Sequence, residues 1–270
     1  MSKILVVANQ KGGVGKTTTA VNLSASLAAT KRKVLMVDLD PQGNATMGSG
    51  IDKHELEQSL YEVLTGKCSI TEAIVRAEQS GFDVLPTNAN LTAAEVELMD
   101  LPQRETRLRS ALLEVSDDYD YIVIDCPPSL SMLTINAMVA AQGVLIPMQC
   151  EYYALEGLSA LIQTIEKIQS NLNPELEIEG ILRTMYDPRN SLTNDVSSQL
   201  TKHFGDKVYS TVIPRNVRLA EAPSYGLPAL VYDKNSRGAM AYLALAGEVN
   251  RRTKSKKSAV KNTTSTSKTV

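Results

Sequence analysis

One short stretch, NQKGGVGKTT at 9–18, constrains this chain more than any other. It follows an apolar run, KILVVA at 3–8, and precedes a segment with Ala20, Leu23 and Leu27 at helical spacing. Strand, glycine-rich loop and helix in that order put the loop at a helix N-terminus. Unpaired backbone N–H groups and the helix dipole favour an anion there. Gly12, Gly13 and Gly15 let the backbone turn sharply and come close to a ligand. The amides of Gly12, Gly13, Val14 and Gly15 can then surround phosphate groups. In that arrangement Lys16 reaches the β- and γ-phosphates, the Thr17 hydroxyl binds Mg2+, and Thr18 approaches the α-phosphate. The bland alternative is a glycine-rich turn with no ligand. A dinucleotide loop fits less well, because GGVGKT lacks the G-x-G-x-x-G spacing.

The rest of the chain repeats the alternation. Apolar runs at 33–40, 82–86, 119–128, 143–148, 177–185 and 207–213 read as strands. Helices are expected near 103–115, 154–170, 194–204 and 237–250. Strands that are apolar throughout and separated by helices indicate a mainly parallel sheet covered on both faces. Right-handed crossovers make it a doubly wound α/β fold. At 270 residues the chain suits one well-cored domain, placed at 1–250.

Residues 251–270 differ in kind. They carry seven of the 28 Lys and Arg and none of the 30 acids, which leaves the body at a net −9. This Ser/Thr/Lys-rich segment reads as a basic, disordered tail. No apolar run approaches the ~20 residues that span a bilayer, and no signal peptide is recognisable. Cys68, Cys126 and Cys150 are scattered and odd in number, which points to a reducing, cytoplasmic setting. Two histidines far apart leave little for a zinc site or a histidine triad.

Three acids stand where a phosphate loop would use them. Asp38 and Asp40 close the second strand, and a spacing of two puts them on one side of it. One is then near the metal and the other, Asp40, near the water that attacks the γ-phosphate. They can also be simple strand-end acids, with Asp40 starting a turn at Pro41. Asp125 ends YIVID and reads as the acid that supports the Mg2+ shell, with a turn former as the alternative.

Lys11 departs from the standard pattern. G-x-x-x-x-G-K-[ST] has a glycine at position 10, where this chain has Gln10 followed by Lys11. Lys11 cannot easily reach the phosphates that Lys16 holds. It is either a solvated lysine or a charge offered to a second copy's nucleotide, and spacing alone leaves both open.

The pattern K-G-G-x-G-K-T resembles the deviant phosphate loop of the ParA/MinD ATPases. DLDPQGNAT, DCPPSL, QCEYYALEGL, VIPRNVRLAEAPSYG and SRGAMAYLALA resemble the ParA/Soj chromosome-partitioning group over nearly all of 1–250. The resemblance implies an ATP- and Mg2+-dependent ATPase that forms a sandwich homodimer. It implies nonspecific double-stranded DNA binding, hydrolysis stimulated by a ParB-type partner, and a nucleoid-associated location. It assigns Lys11 to the trans contact across the dimer and Gly12 to its seam. It places Glu151 against the partner's ribose, and Met185 and Pro214 beside the adenine. DNA contacts fall near Arg189, Arg215, Arg218, Lys234 and Arg237, with Arg189 and Arg218 matching best. The acidic body means that DNA affinity must come from a local patch, which a dimer doubles.

Other classes fit less well. A membrane-bound MinD-type regulator needs an amphipathic C-terminal helix, and KKSAVKNTTSTSKTV has no apolar stripe. A reductase like the nitrogenase iron protein needs cluster cysteines, and neither DCPP nor QCEY supplies that motif. A non-hydrolysing nucleotide-binding adaptor stays open. No helix-turn-helix precedes the loop, so operator-specific DNA binding is not expected.

Overall fold

The computed structural model describes residues 2–266, with side chains as far as Ser255. Eight strands form one sheet: β1 (Lys3–Val7), β2 (Val34–Asp38), β3 (Val75–Ala77), β4 (Phe82–Leu85), β5 (Tyr121–Asp125), β6 (Gly143–Gln149), β7 (Glu177–Tyr186) and β8 (Val208–Pro214). Helices α1 (Lys16–Ala29), α2 (Asn44–Gly48), α3 (Leu60–Thr65), α4 (Ile70–Ala73), α5 (Leu91–Asp100) and α6 (Arg107–Val115) belong to the first half. Helices α7 (Met132–Ala140), α8 (Ala154–Asn171), α9 (Ser191–Phe204), α10 (Val217–Glu221), α11 (Ala229–Tyr232) and α12 (Arg237–Thr266) belong to the second.

The strand order is β3-β4-β2-β5-β1-β6-β7-β8, and every pairing is parallel except β3 with β4. The central strands are buried on both faces, so their alternate residues enter two cores. Ile4 and Val6 of β1, Leu35 and Val37 of β2, and Ile122 and Ile124 of β5 face one core. Leu5, Val7, Val34, Met36 and Val123 face the other. The first core is closed by α3 and α5–α9, the second by α1 and α12. On α12, Tyr242, Leu245, Ala246 and Val249 are almost fully buried. Each of the large side chains among them contributes about 1.5–3 kcal/mol of burial.

This is the expected doubly wound sheet, with differences of detail. The short antiparallel edge strand β3 and helices α2–α5, α7, α10 and α11 are not among the elements expected from the sequence. The second strand stops at Asp38, so Asp38 and Asp40 do not share a strand face.

The boundary drawn at residue 250 falls inside a helix, since α12 continues to Thr266. Arg252 lies on the body: it donates to Glu248 Oε1 at 2.9 Å and to the Val208 carbonyl at 3.1 Å, and it covers the Tyr209 ring at 4.2 Å. Thr253 is buried. A disordered start at residue 251 is therefore corrected: helical hydrogen bonding and this packing offset the charge repulsion of the run. Residues 267–270 of the expected tail, and the side chains of 256–266, lie outside what the structure describes.

Candidate active site

β1 delivers the loop between β5 and β6, at the carboxyl ends of the central strands. In a doubly wound sheet this is where ligands sit. Gly13 (φ 72°) and Gly15 (φ 88°) occupy left-handed conformations that side chains resist, and Gly15 caps α1. Thr184 at the end of β7 donates to the Val14 carbonyl at 2.8 Å and so braces the loop from the side. Around Gly12 the case is different. Its φ is ordinary, and no described atom lies within 4 Å of where a Cβ would stand.

The two lysines diverge. Lys16 is buried, and its Nζ turns in to the Lys11 carbonyl at 3.2 Å. Burial lowers its pKa, and the negative charges of Asp125 and Asp40 oppose that fall. Lys11 is held at the surface: its N–H donates to Asn9 Oδ1, and its Nζ pairs with Glu151 Oε2 at 2.5 Å. Both partners of that pair are about half exposed.

Asp125 ends β5 directly opposite Asp38 of β2, both fully buried. Neither Asp125 oxygen has a partner of ordinary hydrogen-bond geometry, although Thr17 faces it. Burial, then the charge of Asp38, push the Asp125 pKa well above the carboxylate range. Burial likewise pushes Asp38 up to about 6, against the hydrogen bonds it accepts. An orphaned, buried carboxylate beside a threonine hydroxyl and the loop lysine fits a hydrated Mg2+. Thr17 and Asp125 are the residues that would hold it. Among the described residues no cluster of three His, Cys, Asp or Glu is arranged to bind a metal alone. The metal's remaining ligands must come from phosphate and water.

Asp40 stands half-buried in the loop after β2, and its charge acts on both Lys16 and Asp125. Asp38 has a different position from the one expected. Its carboxylate turns to Thr46 and to the Asp40 amide rather than toward the loop at 9–18.

Beside the loop is a cavity of about 190 Å3 lined by Thr18, Met185, Pro214, Asn216, Leu219 and Tyr242, among others. Met185 and Pro214 thus lie where a base can enter. Met185 holds φ 49°, a left-handed backbone that a long side chain seldom adopts and that recurs at ligand sites. Three wall residues take no role from the sequence, although Asn216 and Tyr242 lie within the stretches VIPRNVRLAEAPSYG and SRGAMAYLALA. Tyr242 bonds to Thr19 of α1 at 3.0 Å, Thr184 braces the loop, and Asn216 caps α10. Only the fold brings them to the cavity, and no spacing announces it.

The basic candidates are exposed, and two of the five are already paired. Arg189 makes a two-pronged contact to Asp187, and Arg218 reaches Glu221 at 2.8 Å and Asp233 at 3.4 Å. Arg215 lies on the rim of that cavity. Lys234 and Arg237 are exposed near the start of α12.

A doubly wound sheet, a K-G-G-x-G-K-T loop on α1 and paired acids on the neighbouring strands define a P-loop nucleoside triphosphatase of the deviant type. Comparison with known proteins narrows this class. A family model described as an AAA domain matches residues 2–178. The chain is 54% identical to the sporulation initiation inhibitor protein Soj of Bacillus subtilis, over 92% of this chain and 98% of that one. It is 52% identical to the chromosome partitioning protein ParA of Caulobacter vibrioides, over 92% and 93%. Among solved structures, a Mycobacterium smegmatis protein called cobyrinic acid a,c-diamide synthase, with bound ADP and magnesium, superposes with a TM-score of 0.83. It is 39% identical, over 94% of this chain and 96% of that one. The chain belongs to the ParA/Soj family of chromosome-partitioning ATPases.

Proposed function

We propose that this protein hydrolyses ATP with Mg2+ to drive DNA partitioning, and that ATP is read by two copies together. The observation that carries this is the divergence of the lysines. Lys16 points into its own loop, while Lys11 stands outside it, and no described atom lies within 4 Å of where a Cβ on Gly12 would stand. A bare glycine in open space next to a surface lysine suits a seam where a second copy approaches. There Lys11 would meet the partner's triphosphate and stabilise the charge that develops at the γ-phosphate.

Within one protomer, the loop amides and Lys16 hold the β- and γ-phosphates, and Thr18 stands by the α-phosphate. Thr17 and Asp125 would hold the metal, which would supply charge neutralisation at the phosphates. Met185 and Pro214 flank the base. Asp40 orients the attacking water, so that a water oxygen bonds to the γ-phosphorus as the bond to ADP breaks. Glu151 contacts the partner's ribose once Lys11 has left it. Arg189, Arg215, Arg218, Lys234 and Arg237 form a DNA patch that is weak in one copy and adequate in two. A ParB-type protein stimulates hydrolysis and so releases the DNA. No helix among the described residues is long and apolar enough to cross a membrane; DNA binding of this kind would place the protein at the nucleoid.

The test is DNA binding by the purified protein with ATP, with ADP and without nucleotide, followed by ATP turnover with DNA and a ParB-type protein. DNA binding confined to the ATP state and turnover raised by the partner support the proposal. Equal DNA binding in all three states refutes it.

A further inference from the structure

Asp38 takes no part in the proposed phosphate and metal contacts, yet it is one of the most thoroughly buried charged groups in the described molecule. Its two oxygens divide their work. Oδ1 accepts from the Asp40 N–H at 3.2 Å. Oδ2 accepts from the Thr46 N–H at 2.7 Å and from the Thr46 hydroxyl at 2.8 Å. One carboxylate therefore grips both ends of the loop from Asp40 to Thr46.

That loop is fixed elsewhere as well. The Asp40 carboxylate accepts from the Gln42 N–H at 3.0 Å, which sets its own rotamer. Lys53 donates to the Gln42 carbonyl at 2.6 Å. Gly43 takes φ 63°, where a Cβ would come within 2.9 Å of the Thr87 carbonyl. The Thr46 hydroxyl, while donating to Asp38, accepts from the Thr87 N–H at 3.1 Å. The chain from Asp38 through Thr46 to Thr87 ties the end of β2, the first turns of α2 and the segment after β4 into one unit.

We propose that Asp38 is the positioning residue for Asp40. Asp38 does not touch the nucleotide. It holds the loop that presents Asp40 to the γ-phosphate, and the hydrogen bonds to Thr46 keep the far end of that loop closed. A carboxylate is the group suited to this place, because it alone accepts at both oxygens from three donors. A misplacement of about 1 Å at a reacting group can cost about a hundredfold in rate. The proposal rests on the reading of Asp40 as the water-orienting residue, so the test keeps the two apart.

ATP turnover and ATP affinity are measured for the parent, T46V, T46S, D40A and the double variant D40A/T46V, with folding checked by circular dichroism. Val keeps the buried volume of Thr46 but removes the hydroxyl; Ser keeps the hydroxyl. Expected for T46V is a kcat at least about tenfold lower with ATP affinity within about threefold, since binding is untouched. T46S recovers turnover relative to T46V. D40A/T46V is no slower than D40A, because Thr46 acts only through Asp40. D38N removes an acceptor and gives the same pattern, which serves should T46V not fold. Parent-like turnover in D40A would overturn the reading of Asp40 itself. With D40A slow, parent-like turnover in T46V, or a further loss in the double variant, overturns the positioning role.

Discussion

Replacing Lys11 with Ala separates a role in the fold from a role between copies. In the protomer Lys11 has one strong partner, Glu151 at 2.5 Å, with side-chain exposures of 45% and 51%. A pair this exposed is worth about 0.2–1 kcal/mol, because water screens both charges and two mobile side chains are ordered. For a chain of this size that is a melting shift of at most about 4 °C. A lysine set against a partner's triphosphate in a closed interface belongs to another regime. Losing such a buried, charge-assisted contact costs about 2–5 kcal/mol, which weakens the dimer by roughly 30-fold or more. K11A is therefore expected to melt close to the parent and to bind ATP through Lys16, yet to sediment as a monomer with ATP and Mg2+. E151A is the companion. It dimerises as well as the parent if Glu151 merely occupies Lys11, and worse if Glu151 also contacts the partner's ribose. Parent-like sedimentation of K11A with ATP refutes the trans role. A fall in melting temperature beyond about 10 °C refutes the estimate that Lys11 contributes little to the fold.

Burial holds Asp38 and Asp125 above the ordinary carboxylate range, so the nucleotide-free fold retains protons that the unfolded chain has lost. The Asp38 penalty is absent below its unfolded value of 3.8 and complete above about 6, where it corresponds to roughly 3 kcal/mol, and Asp125 adds a penalty of the same sign. Nucleotide-free protein should thus gain stability as pH falls from 7 to 5, and D125N should melt higher than the parent at pH 7.5 with a flatter pH profile. Calorimetry decides it, and a lower-melting D125N refutes it. Acids held low by their partners, such as Glu72 and Asp187, act only below their unfolded values of 4.5 and 3.8, outside that window. R218E reverses a charge already shared with Glu221 and Asp233, so ATP-dependent DNA affinity should fall about tenfold or more at moderate salt; fluorescence anisotropy that finds no change misplaces the patch. G238A puts a Cβ 2.6 Å from Leu219 Cγ, behind the base cavity. It should cost about 1–3 kcal/mol and weaken nucleotide binding, as read by chemical denaturation and a fluorescent ATP analogue.

Local pattern carried much of this molecule. The phosphate loop was legible because its chemistry is written in consecutive residues: glycines for the backbone path, Lys16 for charge, Thr17 and Thr18 for the first turn of α1. The parallel sheet was legible because strands buried on both faces must be apolar along their length, as at 4–7 and 121–124. What failed in the sequence was whatever depends on where a strand stops or what lies across a gap. Alternation put Asp38 with Asp40, but β2 ends between them, and the carboxylates part: one clamps the loop, the other faces Lys16. Charge and composition made 251 onward a tail, but the helix runs on, since Arg252 finds Glu248 and two strand-end carbonyls that no local window contains.

The sequence by itself determined a glycine-rich loop at a helix N-terminus that suits a phosphate, because backbone path and helix dipole act over one turn. Only the tertiary structure decided where Lys11 points, which residues wall the base cavity, and what Asp38 holds. Those contacts reach across as many as 223 positions, and they exist only once the sheet has set the strand ends side by side.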